Sequence, residues 1–119
     1  MGLIKRRFAV TNPTEHGRRW EAEFLLDSGA IDTVVPSSQL DAIGIVRDTP
    51  QRYVMADGRV NQLETGTARI EFGGRGVGVT VVFADDQVTP LLGATAMESL
   101  GLELDMTNQM IRQLPAIQL

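Results

Sequence analysis

The sequence predicts an all-β protein that forms a single domain over residues 1–119. A chain of 119 residues suffices for one hydrophobic core, and 43% hydrophobic with 22% charged residues is typical of globular proteins. Runs of roughly four to eight β-branched and aromatic residues lie between turn-forming residues, which is the pattern of short strands. No internal repeat and no linker interrupts the chain. These observations exclude a disordered chain and favour one compact β domain.

The first two strands are predicted to form an antiparallel hairpin. Residues 3–11 and 18–26 are extended runs, and residues 12–17 between them contain an Asn-Pro pair and a glycine, which form turns. Apolar and polar side chains alternate along the second run, so that one of its faces points into a core. The run ends with three apolar residues, 24–26, that lead the chain inward.

A short helix and a protruding hairpin are predicted next. Residues 37–44 begin with Ser, place apolar side chains three residues apart and end in Gly, which predicts one or two helical turns with a Ser cap. An Asp-Gly pair at residues 57–58 lies between extended runs at 52–55 and 59–63. Asp-Gly in this setting is a strong hairpin signal, so we expect a second hairpin that projects from the sheet.

The second half of the chain predicts a third hairpin and the clearest helix. Residues 67–72 and 77–83 are joined by the glycine-rich residues 73–76, which predicts a hairpin with a flexible tip. Residues 94–100 are good helix formers and Gly101 follows at a C′ position, so one short C-terminal helix is expected. Two further short extended runs follow at residues 102–105 and 109–114.

Composition excludes several classes of function. Eleven Lys and Arg against fifteen Asp and Glu leave a net charge of -4, so the chain lacks the basic field that a nucleic-acid partner needs. With no cysteine and one histidine, we expect no disulfide, no thiol nucleophile, no metal and no cofactor. No apolar run approaches the roughly 18 residues of a membrane span, so we expect no membrane partner and a cytoplasmic location.

The most informative segment is the turn of Asp27, Ser28, Gly29 and Ala30. A carboxylate directly after a buried run is costly unless a function or a hydrogen-bond network holds it there. Asp, Ser and Gly are also ordinary turn residues, so the tripeptide alone is a weak signal. Its context is stronger, because an apolar run enters the turn, a β-branched run leaves it, and a second turn at residues 91–93 leads directly into the C-terminal helix.

Residues 25–35 resemble, almost position by position, the active-site loop of the retropepsin-like aspartic proteases of the pepsin clan. In particular, the chain resembles the small single-domain prokaryotic members, which look like retroviral proteases. The resemblance covers nearly the whole chain, because the hairpin at residues 53–63 stands at the flap position and residues 91–93 stand at the second hydrophobic-hydrophobic-Gly motif. It implies a homodimeric, retropepsin-like acid protease half-barrel with one short C-terminal helix.

The resemblance also implies a role for each matched residue. Asp27 would be the catalytic aspartate, Ser28 the hydroxyl residue that grips across a dimer interface, and Gly29 a main-chain contact to substrate, with Ala30 in the same loop. The implied substrate and flap residues are Asp32, Met55, Ala56, Asp57 and Gly58. The implied structural support behind the loop consists of Leu91, Leu92 and Gly93.

Two positions depart from the retroviral pattern. Ile31 stands where retroviral enzymes carry a second aspartate, and Ala94 replaces the arginine that pairs with that aspartate. Both partners of one ion pair are absent together, which avoids an unpaired buried charge that would cost several kcal/mol. The retroviral manner of anchoring substrate and dimer is therefore not carried over to this chain.

The chemistry of such a site requires two carboxyl groups that share one proton, and aspartic proteases are the standard example. The ionised group activates a water molecule, which attacks a peptide carbonyl, while the other group acts as the acid. This chain holds a single Asp-Ser-Gly, so an active endopeptidase must be a homodimer with Asp27 of each subunit at a two-fold axis. We expect residues 109–114, together with the N-terminal strand, to supply the strands between subunits.

Other interpretations start from the same residues. Asp27 and Asp32 within one chain could form a glycosidase pair, but five positions along an extended run would place them on opposite faces. A catalytically inactive retropepsin-like dimer could serve as a protein-binding or assembly module. A monomeric β domain could use Asp27 only to cap a turn. Oligomeric mass separates the last interpretation from the dimers, and cleavage of a peptide or protein substrate separates the enzyme from the binding module.

Overall fold

The structure is a computed structural model that describes residues 3–119; residues 1 and 2 of the predicted domain lie outside the described range. The strands are β1 (Lys5–Thr11), β2 (Arg19–Leu26), β3 (Thr33–Pro36), β4 (Gln51–Val54), β5 (Val60–Leu63), β6 (Thr65–Phe72), β7 (Arg75–Ala84), β8 (Leu91–Leu92), β9 (Leu102–Asp105) and β10 (Met110–Gln113). The helices are α1 (Ser37–Ala42) and α2 (Ala94–Leu100). The mainly β fold with a short C-terminal helix is therefore confirmed.

Six strands close into a barrel in the order β1-β2-β8-β3-β7-β6, because β1 pairs with both β2 and β6. The hairpins β1–β2 and β6–β7 supply four of these strands, and their alternating apolar residues fill the interior. The other two strands are short. β3 runs parallel to β7, and β8 is inserted between β2 and β3. This insertion brings the two turns singled out in the sequence to the same end of the barrel.

The hydrophobic core lies inside the barrel and beneath the two helices. Phe8 and Phe24 pack edge to face across β1 and β2, with ring centroids 5.9 Å apart, which suits the charge distribution of the aromatic rings. Each helix contributes apolar side chains from one side only. The largest fully buried apolar side chains are Phe8, Phe24, Leu40, Ile70, Leu92, Leu100, Val10, Val35 and Val81.

Helix α1 occupies the predicted position, but its predicted Ser cap is wrong. Pro36 is the N-cap residue, and neither of the two serine side chains caps the helix. The Ser37 hydroxyl instead donates a hydrogen bond of 2.8 Å to the carbonyl oxygen of Ala84. This happens because β3 pairs with β7, which brings the end of β7 beside the first residue of the helix. Gly44, with φ of 80°, follows the helix as predicted.

The tip of the β6–β7 hairpin is shorter than predicted. Only Gly73 and Gly74 form the turn, and Arg75 already begins β7. Both glycines have positive φ, 59° and 80°, as a two-residue hairpin turn of this hand requires. The prediction of a four-residue flexible tip was therefore wrong, because the strand pairing extends to the turn itself.

The C-terminal segment forms a separate two-stranded sheet outside the barrel. Strands β9 and β10 pair with each other in antiparallel orientation after α2, which ends at Gly101 with φ of 70°. Strand β1 lies within the barrel, and residues 9–11 are paired on both sides, by β2 and by β6. These three residues of the N-terminal strand therefore have no free edge for a second subunit, whereas the β9–β10 sheet stays outside the barrel.

Asn12 connects the loop after β1 to the end of α1 through side-chain hydrogen bonds. Its Nδ2 donates to the carbonyl oxygen of Ile43 at 3.0 Å, and its Oδ1 accepts hydrogen bonds from the N–H groups of Thr14 and Glu15 at 3.0 and 3.2 Å. Because Asn12 is only 8% exposed, Asn12→Ala leaves main-chain groups without partners and is expected to lower the free energy of unfolding by about 2 kcal/mol. Urea unfolding measures this loss. The control Thr14→Ala should cost less than about 1 kcal/mol, and equal losses in the two variants would contradict the prediction.

Candidate active site

Asp27 follows the last residue of β2 and begins a tight turn. Its carbonyl oxygen accepts a hydrogen bond from the Ala30 N–H at 3.2 Å, and its Oδ1 accepts one from the Gly29 N–H at 2.9 Å. The Asp27 side chain is half-buried, and its Oδ2 accepts no hydrogen bond from any residue in the range 3–119. Main-chain groups therefore orient the carboxylate, while one of its oxygens remains available to an external donor.

The turn changes the relation between Asp27 and Asp32. Residues 27–32 are not extended, because the Ala30 N–H bonds back to Asp27 and reverses the chain. An extended run that would place the two carboxylates on opposite faces was therefore a wrong prediction. Instead, the two carboxylates have different hydrogen-bond partners. Asp27 accepts from the Gly29 N–H, and Asp32 accepts from the Tyr53 hydroxyl.

Strand β8 lies directly against the end of β2. Leu91 and Leu92 pair in parallel with Leu25 and Leu26, and the Leu92 carbonyl oxygen accepts a hydrogen bond of 3.0 Å from the Asp27 N–H. Parallel pairing of two distant chain segments is stable here because the paired residues are shielded from solvent: Leu26 and Leu92 are buried, and Leu25 and Leu91 are half-buried. The position of Asp27 is therefore tied to β8 through the main chain.

The first turn of α2 bonds to the same loop. The Ala94 N–H donates to the Ala30 carbonyl oxygen at 2.7 Å, and the Thr95 N–H donates to the Ile31 carbonyl oxygen at 3.2 Å. The first N–H groups of a helix have no acceptor within the helix, so these loop carbonyls satisfy them. These main-chain bonds join the two segments that carry Ile31 and Ala94, the positions at which the retroviral ion pair is absent.

Gly93, between β8 and α2, has no room for a side chain. A Cβ atom at this position would lie 2.6 Å from the Asp32 carbonyl carbon and oxygen and 2.6 Å from the Ile31 carbonyl oxygen. The Gly93 N–H donates to Thr33 Oγ1 at 3.1 Å, and Thr33 is buried. The main chain of the loop and that of the β8–α2 turn are thus in direct contact. Thr33 did not stand out in the sequence, since a buried β-branched residue in a strand is ordinary.

Strands β4 and β5 form a hairpin that is separate from the barrel sheet. In its turn, the Met55 N–H donates to the Arg59 carbonyl oxygen at 2.7 Å, and Gly58 has φ of 88°. Asp57 accepts hydrogen bonds from the Arg59 main chain and guanidinium, and these bonds lower the pKa of the Asp57 carboxyl group. Four of the predicted flap residues, Met55, Ala56, Asp57 and Gly58, therefore lie in this turn. We call the whole hairpin, residues 51–63, the flap hairpin.

Tyr53 connects the flap hairpin to the loop of residues 27–32, and sequence reasoning did not single it out. Its hydroxyl donates a hydrogen bond of 2.6 Å to Oδ2 of Asp32. Partial burial raises the pKa of the Tyr53 phenol, and the hydrogen bond to the Asp32 carboxylate and its negative charge raise it further. One signal could have found it: Tyr53 is the one tyrosine of the chain, and it lies in an otherwise polar and aliphatic hairpin.

We expect the Tyr53 phenol to remain protonated at pH values where a free tyrosine ionises. Its pKa is higher in the folded protein than in the unfolded chain. Its hydrogen bond therefore contributes to stability below about pH 10, and the contribution is lost as the pH rises through the folded value. Absorbance of the phenolate reports this residue alone. Asp32→Ala should shift the titration towards lower pH. Half-ionisation of the folded protein at about pH 10 would contradict the prediction.

Other features of the described chain lie away from this loop. Two surface depressions of about 420 and 520 Å³ are lined by residues near Arg69 and near Asn12, and neither includes Asp27. Within residues 3–119, no group of three or more His, Cys, Asp and Glu side chains could hold a metal ion. No helix in that range has the length and apolar character needed to cross a membrane.

Comparison with known proteins agrees with this architecture. Residues 16–99 match the family described as "gag-polyprotein putative aspartyl protease". The solved structure of EIAV protease complexed with the inhibitor HBY-793 has the same fold, with a TM-score of 0.65 and 17% sequence identity over 88% of this chain and 94% of that chain. No curated protein has a sequence that matches this one. Because the family match covers more than half of the chain, the chain belongs to the retroviral-type aspartic protease family.

Proposed function

We propose that the protein is an aspartic endopeptidase that acts as a homodimer. The observation that carries this proposal is the Asp27 turn. Its carboxylate is oriented by the Gly29 N–H, and its main chain is bonded to β8, in a chain of the aspartic protease family. Each subunit supplies one such carboxylate, so a site made by one chain is incomplete. Asp27 is the proposed catalytic residue, and residues 91–93 are its proposed support.

The proposed reaction is hydrolysis of a peptide bond between two Asp27 side chains. One carboxylate accepts a proton from a water molecule, whose oxygen attacks the substrate carbonyl carbon. The other carboxyl group is protonated and donates a hydrogen bond to the carbonyl oxygen as negative charge develops there. Collapse of the tetrahedral intermediate breaks the C–N bond, and the amine leaves with the proton that the first carboxylate had taken from water, which restores the starting protonation of the pair. Two like charges this close cannot both be ionised, which keeps one group protonated.

The proposed substrate is an extended segment of a peptide or protein held between the loop and the flap hairpin. Apolar side chains are exposed to solvent both in the loop and in the flap hairpin. Ile31 is 67% exposed in the loop, and Val54 and Val60 are 76% and 50% exposed in the hairpin. Exposed apolar side chains that flank a polar site favour binding of a partner with apolar side chains of its own.

The proposed dimer interface includes residues 109–114, which contain β10. The β9–β10 sheet stays outside the barrel and exposes apolar side chains around it. Met106, Met110, Leu114 and Ile117 are each at least 40% exposed. Two-stranded sheets of this size are marginal alone, so further pairing would stabilise this one. The proposed setting is the cytoplasm.

The experiment that tests the proposal is digestion of a diverse peptide library by the wild-type protein from about pH 4 to pH 7, with cut sites determined by mass spectrometry. Cleavage should pass through a maximum, because one carboxyl group must be ionised and the other protonated. Sedimentation under the same conditions should show a dimer. A dimer that cleaves nothing would favour the protein-binding module, and a monomer would contradict both interpretations.

A further inference from the structure

The flap hairpin is attached to the rest of the protein by very few contacts. Its two strands form their own sheet, and only Tyr53 and Leu63 among the eight strand residues are half-buried, while the other six are exposed. Among all hydrogen bonds in the described chain, the one from Tyr53 to Asp32 is the only one that joins residues 51–63 to any other segment. The position of the hairpin over the barrel therefore depends strongly on this bond.

The acceptor of this bond lies on a rigid part of the structure. The main chain of Asp32 is packed against Gly93, where even one methyl group would not fit. The next residue, Thr33, is buried and accepts a hydrogen bond from the Gly93 N–H. Asp32 is also five residues from Asp27 in the same loop. The Tyr53 hydroxyl thus connects the least anchored hairpin of the fold to the loop that carries the catalytic carboxylate.

We propose that Tyr53 is a positioning residue, whose hydroxyl holds the flap hairpin over the Asp27 loop by its hydrogen bond to Asp32. The part of this inference that concerns catalysis rests on the proposed function. With the bond formed, the hairpin is held where it covers a bound substrate. With the bond broken, the hairpin moves away from the loop and opens the site for exchange of substrate and product.

The chemistry of the pair determines which substitutions break it. Tyr53→Phe removes the donor and keeps the ring, and Asp32→Ala removes the acceptor. Asp32→Asn keeps an acceptor oxygen in the same position and should retain most of the bond. Because both partners act through one contact, the double variant Tyr53→Phe/Asp32→Ala should be no more impaired than either single variant.

Hydrogen–deuterium exchange of the full-length protein tests the proposal without requiring activity. In Tyr53→Phe and in Asp32→Ala, the amides of residues 51–63 should exchange about fivefold faster or more, while the barrel strands are unchanged. Asp32→Asn should resemble the wild type. The control Gln62→Ala alters an exposed side chain of the same hairpin that makes no hydrogen bond, and exchange should be unaffected. Hairpin exchange in Tyr53→Phe that equals the wild type overturns the proposal.

Kinetics tests the catalytic part. Tyr53→Phe should raise KM about fivefold and change kcat by less than about twofold, since the hydroxyl holds the flap hairpin in place and does not contact the reacting atoms. An unchanged KM in an enzyme that cleaves peptides overturns the positioning role. The wild type could cleave nothing while the amides of the flap hairpin exchange faster in Tyr53→Phe. In that case the positioning role of Tyr53 is supported, and the proposed function alone fails.

Discussion

Asp27→Asn is expected to abolish peptide cleavage, with kcat/KM lowered by about 10³-fold or more. The amide cannot accept the proton of the attacking water, so the group that activates the nucleophile is lost. The fold should survive, because the amide oxygen can still accept the hydrogen bond that the Gly29 N–H now gives to Asp27 Oδ1 at 2.9 Å. The change therefore separates chemistry from structure.

Asp85→Asn is a matched control for this substitution. Asp85 is exposed in the turn after β7, and its Oδ1 accepts a hydrogen bond from the Gln87 N–H at 2.9 Å, the same local arrangement as in the Asp27 turn. The control variant should cleave peptides like the wild type, and both variants should unfold at the same urea concentration as the wild type. Full activity of Asp27→Asn would exclude Asp27 as the catalytic group.

Mixing the two proteins tests whether the carboxylates of two subunits act together. In an equal mixture of wild type and Asp27→Asn with free exchange of subunits, about one quarter of the dimers contain two Asp27 side chains. Cleavage should therefore fall to about one quarter of the all-wild-type rate at the same total concentration. A fall to one half would mean that each subunit acts alone, and it would contradict the shared pair.

Gly93→Ala is expected to lower the free energy of unfolding by about 3 kcal/mol, near the upper end for an overpacked site. The added methyl group would lie 2.6 Å from main-chain atoms of Ile31 and Asp32. A flexible side chain could relieve such a contact by changing its rotamer, but main-chain atoms cannot. Either the loop of residues 27–32 or the start of α2 must move. Peptide cleavage should fall with stability, because movement of either segment disturbs the main-chain hydrogen bonds between α2 and the loop that holds Asp27.

Urea unfolding with Gly78→Ala as the control isolates the steric effect. Gly78 lies within β7, and a Cβ atom there would have no neighbour within 4 Å. The control variant adds the same methyl group, and it should alter the free energy of unfolding by less than about 1 kcal/mol. Equal stability of the two variants would show that Gly93, between β8 and α2, is not in close contact with the main chain of Ile31 and Asp32.

The elements that depend on neighbours in the chain could be predicted from the sequence. The Asp-Gly turn of the flap hairpin, the helix that ends at Gly101 and the alternating strands of the first hairpin all follow from local backbone preferences and side-chain periodicity. The same holds for Asp27 as a candidate, since an acidic residue after an apolar run is visible in the sequence. The local details that failed, the Ser37 cap and the length of the glycine turn, were decided by pairing with β7.

The arrangement of the site depends on residues that are far apart in the chain. The sequence by itself determined the β class of this protein, its hairpins and the residue types available for acid–base chemistry. Only the tertiary structure decided that β8 enters between β2 and β3, that Gly93 touches the main chain of Asp32, and that Tyr53 bonds to Asp32. The physical reason is that these contacts depend on barrel closure and on close packing across large sequence separations. A short segment contains no information about the partner that a distant strand will bring beside it.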